Sequence, residues 1–175
     1  MNLQLKITDR GVQTTNLKSN TENPSEILDE LNLNILSILQ EDARKSSREI
    51  ADRLDVATGT IYNRIKKMSD EGIIKGYIPF LDFQKIGFDL TALILIQVEG
   101  KHMIQVEEEL AAIPNIVAVY DITGEHDAAI IGRFKNRKSL NNFIKNMLKM
   151  EHIKRTVTSV VLNVVKEDFR INLLS

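Results

Sequence analysis

Between Ala57 and Met68 the chain places short hydrogen-bonding groups and cations along one side of a helical repeat. Ile61, Ile65 and Met68 fall at offsets 0, 4 and 7, the spacing of one buried helix face. Thr58, Gly59, Tyr62, Asn63, Lys66 and Lys67 lie on the other side or along its edges. Hydroxyl and amide groups at the leading end of such a helix can reach base edges in the major groove of duplex DNA, and flanking cations can meet phosphates. Thr58, Thr60, Tyr62 and Asn63 are the candidates for base edges, with Asn63 able to pair bidentately with adenine. Arg64, Lys66 and Lys67 are the candidates for phosphates. For the helix alone, an ordinary amphipathic segment with a solvated face is the commoner case. The residues in front of it change the balance.

Pro24-Ser25-Glu26 is suited to open a helix, with acids in its first turn. Leu28, Leu31, Ile35, Ile38 and Leu39 give that helix an apolar stripe, and Glu41-Asp42-Ala43-Arg44 ends it. Ser46 and Glu49 fit an S-x-x-E capping box for a second helix, whose buried side is Ile50, Ala51 and Leu54. Asp55-Val56 is a tight connection, and the third helix starts near Ala57 or Thr58. Two short helices, a brief turn and a longer amphipathic helix make a helix-turn-helix pattern. Ser46, Ser47 and Arg48, at the start of the second helix, are placed to assist at phosphates. Gly72 stops the third helix, and residues 73–78 read as extended. Residues 1–25 are polar and read as a mobile tail, although Leu3, Leu5 and Ile7 alternate as in a short strand.

Charge and composition bound the function. The chain of 175 residues has 23 basic and 24 acidic side chains, so net charge implies no partner. Its distribution says more: residues 26–42 hold five acids and no base, whereas residues 43–77 hold eight bases and five acids. The local excess suits a polyanion at the third helix. With no cysteine, disulfides and thiolate metal sites are excluded. Apolar runs such as 93–96 are too short to span a bilayer, and the N-terminus lacks a signal-peptide core. A cytoplasmic protein associated with DNA is expected.

From Thr91 the pattern changes. Residues 91–98 form a buried strand. Met103, Val106, Leu110 and Ile113 mark a helix, and 116–122 and 127–134 are strands joined through Gly124-Glu125-His126. Leu140, Phe143, Ile144, Met147 and Leu148 mark a second helix, and 156–165 a last strand. The order β-α-β-β-α-β is the ferredoxin-like split pattern, an antiparallel sheet with both helices on one face. The fold class is thus α+β. Apolar residues on both strand faces imply that a partner subunit covers the second face.

Chemistry other than binding has little support. His102, His126 and His152 are scattered without metal-ligand spacing. Glu107-Glu108-Glu109 reads as a solvated helix face. Glu125-His126-Asp127 has no nucleophile beside it in sequence. No catalytic residue, metal or cofactor is expected. By itself Gly124-Glu125-His126-Asp127 is a hairpin connection.

The run from Leu28 to Gly87 resembles the N-terminal half of the leucine-responsive, or feast/famine, regulators (Lrp/AsnC). The matching pieces are L28-D29-x-L31-N32-x-N34-I35-L36, L39-Q40-E41-D42-A43-R44, E49-I50-A51, I61-Y62-N63-R64-I65, E71-G72-I73-I74-K75-G76-Y77 and L81-D82-F83-Q84-K85-I86-G87. Each piece is weak; their order and spacing together are specific. Three positions depart from the pattern. Ala57 stands where a capping Ser is usual, so Thr58 is expected to cap instead; Asn32 and Asn34 stand where acids are common.

The resemblance implies a winged helix-turn-helix DNA-binding domain over 26–77, a linker strand over 78–89 that pairs with a second subunit, and a ligand-sensing and oligomerisation domain over 90–168. It also implies an amino-acid or similar effector held by Gly124, Glu125, His126 and Asp127, with Thr156 and Thr158 reaching it across the sheet. Turn N–H groups can hold a carboxylate, and an Asp an ammonium. His126 replaces the usual aromatic residue and brings a side chain able to respond to pH. The expected protein is a sequence-specific transcription regulator that binds a pseudo-palindromic duplex as a homodimer or higher even oligomer. A metabolite-binding module that acts through protein contact is the rival reading, and a small enzyme built on 124–127 a remote one.

Overall fold

The computed structural model describes residues 2–8, 11–17 and 28–174. Strands β1 (Asn2–Thr8) and β2 (Gly11–Leu17) form a sheet of their own. Leu3, Leu5 and Ile7 therefore lie in a strand, where a polar tail is expected. The helix opening at Pro24-Ser25-Glu26 falls outside the described residues. The rest divides into two units, one that ends at Pro79 and takes back the C-terminal residues from Glu167 onward, and one running Phe80–Lys166.

In the first unit, α1 (Glu30–Glu41) begins at Asp29, whose carboxylate accepts the Asn32 N–H at 2.8 Å. Helix α2 (Ser47–Leu54) opens with the expected capping box: Ser46 Oγ accepts the Glu49 N–H at 3.2 Å, and Glu49 Oε2 accepts the Ser46 N–H at 2.8 Å. Asp55 turns the chain in the left-handed region, φ 53°. Helix α3 (Thr58–Asp70) follows. Ile35, Ile38, Ile50, Ala51, Ile61 and Met68 are buried together, with Leu31, Leu54 and Ile65 packed around them. Gly72, at φ 71°, closes α3, and the Ile73 and Ile74 N–H groups return to the Met68 carbonyl. Among the described residues, none from 71 to 89 belongs to a strand. Ile78 and Phe80 of that stretch are 87% and 73% exposed.

The second unit carries an antiparallel sheet of β3 (Leu90–Val98), β4 (Ile116–Asp121), β5 (Ala128–Phe134) and β6 (Ile153–Val160), in the order β4-β5-β3-β6. A short 3-10 turn (Gly100–His102) leads into α4 (Met103–Ala111), and α5 (Arg137–Met147) joins β5 to β6. This is the ferredoxin-like arrangement. Period-two alternation splits β3: Ala92, Ile94, Ile96 and Val98 pack with Val106, Leu110, Leu140 and Met147 of the helices. Leu93 and Leu95 face the other way, opposite Ile131 and Ala129 of β5 and Ser159 and Val157 of β6.

One boundary differs from expectation. The last strand is Ile153–Val160 rather than 156–165. Its partner β3 begins at Leu90; Val160 pairs with Ala92, and the Val161 N–H reaches the Thr91 carbonyl. Beyond that point the ladder has no partner strand among the described residues. The aliphatic residues that read as strand are solvent-facing, Leu162 at 99% and Val165 at 92% exposure.

Candidate functional site

Helix α3 is held by its apolar stripe. Ile61 and Met68 are fully buried, and this leaves Thr58, Thr60, Tyr62, Asn63, Lys66 and Lys67 exposed along the remaining surface. Its start is bare: Ala57 is the N-cap and supplies no side-chain bond, while Thr58 is already the first helical residue and not the cap expected of it. A hydroxyl one position inside the helix is too far along to take the N-cap role, which needs an extended backbone and an acceptor ahead of the first turn.

The cations differ in their engagements. Arg64, expected at phosphates, is turned toward α1: its guanidinium donates to Asp29 and to Asn32 Oδ1, the latter at 3.1 Å. Asn32 is buried, so it supplies an acceptor inside the unit. The bond from Arg64, then that from the Asn32 N–H, hold the Asp29 carboxyl below its ordinary range. Lys66 pairs with Asp70 at 2.9 Å, and that bond raises its ammonium. Ser46 is occupied by the capping box, and Arg48 is exposed beside it. Ser47 is half-buried. The bonds to Ser46, then that to Lys45, hold the Glu49 carboxyl at about 2.

The second group of candidates gathers at the end of β3. The Gly124–Asp127 turn is tied to that strand: Asp127 Oδ2 accepts the Val98 N–H at 2.8 Å, the Asp127 N–H reaches the Ile96 carbonyl at 2.9 Å, and Gln97 donates to the Glu125 carbonyl at 2.7 Å. Gly124 sits at φ 127°, a conformation that disfavours side chains. Thr156 and Thr158 flank the other side of β3, opposite Ile96 and Ile94. Both candidate sets thus lie toward one end of the sheet, on either side of one strand, with the threonines on the helix-covered face. His126 is half-buried, and its Nε2 is enclosed with no hydrogen-bond partner among the described residues. An enclosed polar atom of this kind is uncommon in a finished structure.

Sequence reasoning missed Asp29 and Asn32 as partners of Arg64. Asp29 three residues before Asn32 is a capping signal visible in the chain, but the long-range link to Arg64 is not. The face-to-face stack of His102 on His152, centroids 3.4 Å apart, likewise has no local signature.

A compact three-helix unit that exposes one polar, cationic helix face, followed by a ferredoxin-like unit with a built turn at one sheet end, defines a DNA-binding transcription regulator with a ligand-binding domain. Residues 28–75 match the model for winged helix-turn-helix DNA-binding domains, and residues 91–171 the model for the Lrp/AsnC ligand binding domain. An uncharacterized HTH-type transcriptional regulator of Pyrococcus abyssi is 48% identical over 145 residues, 83% of this chain and 99% of the relative. The HTH-type transcriptional regulator FL11 of Pyrococcus furiosus is 36% identical over 81% of this chain and 93% of its own length. E. coli AsnC superposes with a TM-score of 0.76 at 25% identity, over 83% of this chain and 98% of AsnC. A Neisseria meningitidis transcriptional regulator solved as its L-Met complex has the same fold, with a TM-score of 0.77 at 23% identity over 84% of this chain and 97% of that one. The chain belongs to the Lrp/AsnC family of transcriptional regulators and is not an enzyme. Among the described residues, no helix is long and apolar enough to cross a membrane.

Proposed function

We propose that α3 enters the major groove, with Thr58, Thr60, Tyr62 and Asn63 at base edges and Lys66 and Lys67 at phosphates, assisted by Ser46, Ser47 and Arg48. The observation that carries this reading is the exposure of all six α3 side chains on a helix anchored by buried Ile61 and Met68. A pair of subunits on a two-fold axis would read a pseudo-palindrome, with half-sites one helical turn, ~34 Å, apart or a multiple of that. Genome-wide footprinting of bound DNA tests it. Bound sites without a shared two-fold sequence would reject it.

The effector in this proposal is an amino acid, held by the 124–127 turn with Thr156 and Thr158. The enclosed, partnerless Nε2 of His126 supports a site there, and the Neisseria protein crystallised with L-Met supports the ligand class. Footprinting repeated with and without amino-acid supply tests this part. An unchanged footprint, together with calorimetry that detects no binding of the common amino acids, would reject it.

A further inference from the structure

The ligand-binding unit is electrically divided. Residues 99–127, which contain α4 and β4, hold seven acids and one base; residues 128–155, which contain β5 and α5, hold eight bases and one acid. All of those bases except Arg133 are exposed. On α5 the division becomes a stripe. Leu140 and Met147 are buried and Phe143 and Ile144 half-buried, which turns Lys138, Asn141, Asn142 and Lys145 outward, with Lys149 just past the end of the helix. Lys138 and Lys145 lie seven residues apart on the helix, roughly 10 Å at helical rise, with Lys149 four residues further on. Among the described residues, no carboxylate lies within ion-pair distance of any of them. This contrasts with Lys66 and Arg64 of α3, which are paired to Asp70 and Asp29.

We propose that α5 is a second DNA-contact surface, taking the phosphates of duplex that extends beyond the site read by α3. Lysines interleaved with side-chain amides and free of acids suit phosphate and sugar contacts, which position without reading sequence. A second copy of the chain, offering its acidic α4, fits less well. Protein interfaces have apolar centres depleted in lysine, and this stripe carries three lysines and two amides against one exposed apolar residue, Leu148, at its edge. The acids of α4 are also partly engaged. Glu107 is half-buried and faces Asp121, so that burial first and then the neighbouring charge raise its carboxyl, while Glu109 accepts from Gln105.

The test uses the full-length protein and one site selected from a random duplex pool, set in a duplex of about two helical turns and in one of about six. The variant carries Lys138→Gln, Lys145→Gln and Lys149→Gln, with its melting temperature measured alongside. On the short duplex the variant should match wild type. On the long one its affinity should fall, and the slope of log K against log salt should become shallower by about 0.9 for each lysine that contacts phosphate, so by up to ~2.7. Asn63→Ala, which should change preference on the short duplex, keeps a failure of α3 separate from a failure of α5. A wild-type slope that does not grow with duplex length overturns the proposal. So does a variant that matches wild type on the long duplex, or one whose only change is a different sedimentation coefficient, which would assign the stripe to contact between copies.

Discussion

The Arg64 guanidinium bridges from α3 to the cap of α1, bonding Asp29 and the buried carbonyl oxygen of Asn32. This contact fixes α3 against the first helix of the unit. The Arg64 and Asp29 side chains are 31% and 50% exposed, so solvent screens the charge part. The Asn32 acceptor is the more sensitive partner, because an orphaned buried acceptor costs about 1–3 kcal/mol. Arg64→Ala should therefore lower the unfolding free energy by roughly 1–2 kcal/mol. A double-mutant cycle with Asp29→Asn should give a coupling of about 0.5–1 kcal/mol. The Asp29 carboxyl is depressed in the folded state, so its contribution is present above the unfolded value and lost as pH falls through the folded one. Denaturant melts across that range check both.

Asn63 and Lys67 should part company in DNA binding. Asn63→Ala should cost on the order of 1–3 kcal/mol at the preferred site and relax preference at one base pair. Lys67→Ala should weaken binding to all sequences alike and flatten the salt dependence by about one counterion. Titrations of a preferred and a scrambled duplex at several salt concentrations measure both. A change of sequence preference in Lys67→Ala, with its salt slope intact, would contradict the assignment.

Acid should undo the capping box only gradually. Glu49 is held at about 2 against an ordinary 4.5, so its contribution is complete above the ordinary value and disappears as pH falls toward 2. Ser46→Ala should cost about 1 kcal/mol near neutrality. The variant keeps the Ser46 backbone N–H, the larger cause of the Glu49 depression, and loses the hydroxyl's bond, so the decline of stability between those two pH values should flatten only in part. Chemical denaturation at a series of pH values reads it.

Asp127 holds its turn to β3, which dictates the substitution that tests the proposed ligand contact. Its carboxylate accepts the Val98 N–H, so Asp127→Ala would disturb the turn as well as any ligand. Asp127→Asn keeps an acceptor oxygen and removes the charge. Its melting temperature should stay near that of wild type, while calorimetry should show amino-acid binding weakened at least tenfold, about 1.4 kcal/mol. Unchanged binding in Asp127→Asn would remove the ammonium contact.

Gly132 is a packing constraint. A Cβ there would lie 2.7 Å from the Phe134 ring and 3.2 Å from Ile116. Phe134 is buried and cannot retreat. Gly132→Ala should destabilise the second unit by about 1–3 kcal/mol, visible in a thermal melt.

Periodicity made the architecture legible. The stripe at Ile61, Ile65 and Met68, the aliphatic run over 91–98 and the Ser46–Glu49 spacing are local signals, and each corresponds to the element drawn from it. Two local readings failed because a partner, not a propensity, decides the end of an element. Residues 161–165 have strand composition, but β3 begins at Leu90, so the ladder closes with the Val161 N–H on Thr91 and residues 163–165 run past the start of β3. Thr58 has a capping hydroxyl, but the helix starts at Thr58 itself. The inward turn of Arg64 was illegible for a related reason: its partners are 32 and 35 residues away, and no short spacing records them.

The bare start of α3 has one further bearing. Without an Ala57 side-chain oxygen, the leading amide hydrogens of that helix form a small concentration of positive potential at the surface. An anion arriving there would complete the first turn as well as dock on it. If α3 meets DNA as proposed, a phosphate there would take amide hydrogens that the cap leaves open, and amide exchange at Thr58 and Gly59 should slow as the duplex binds.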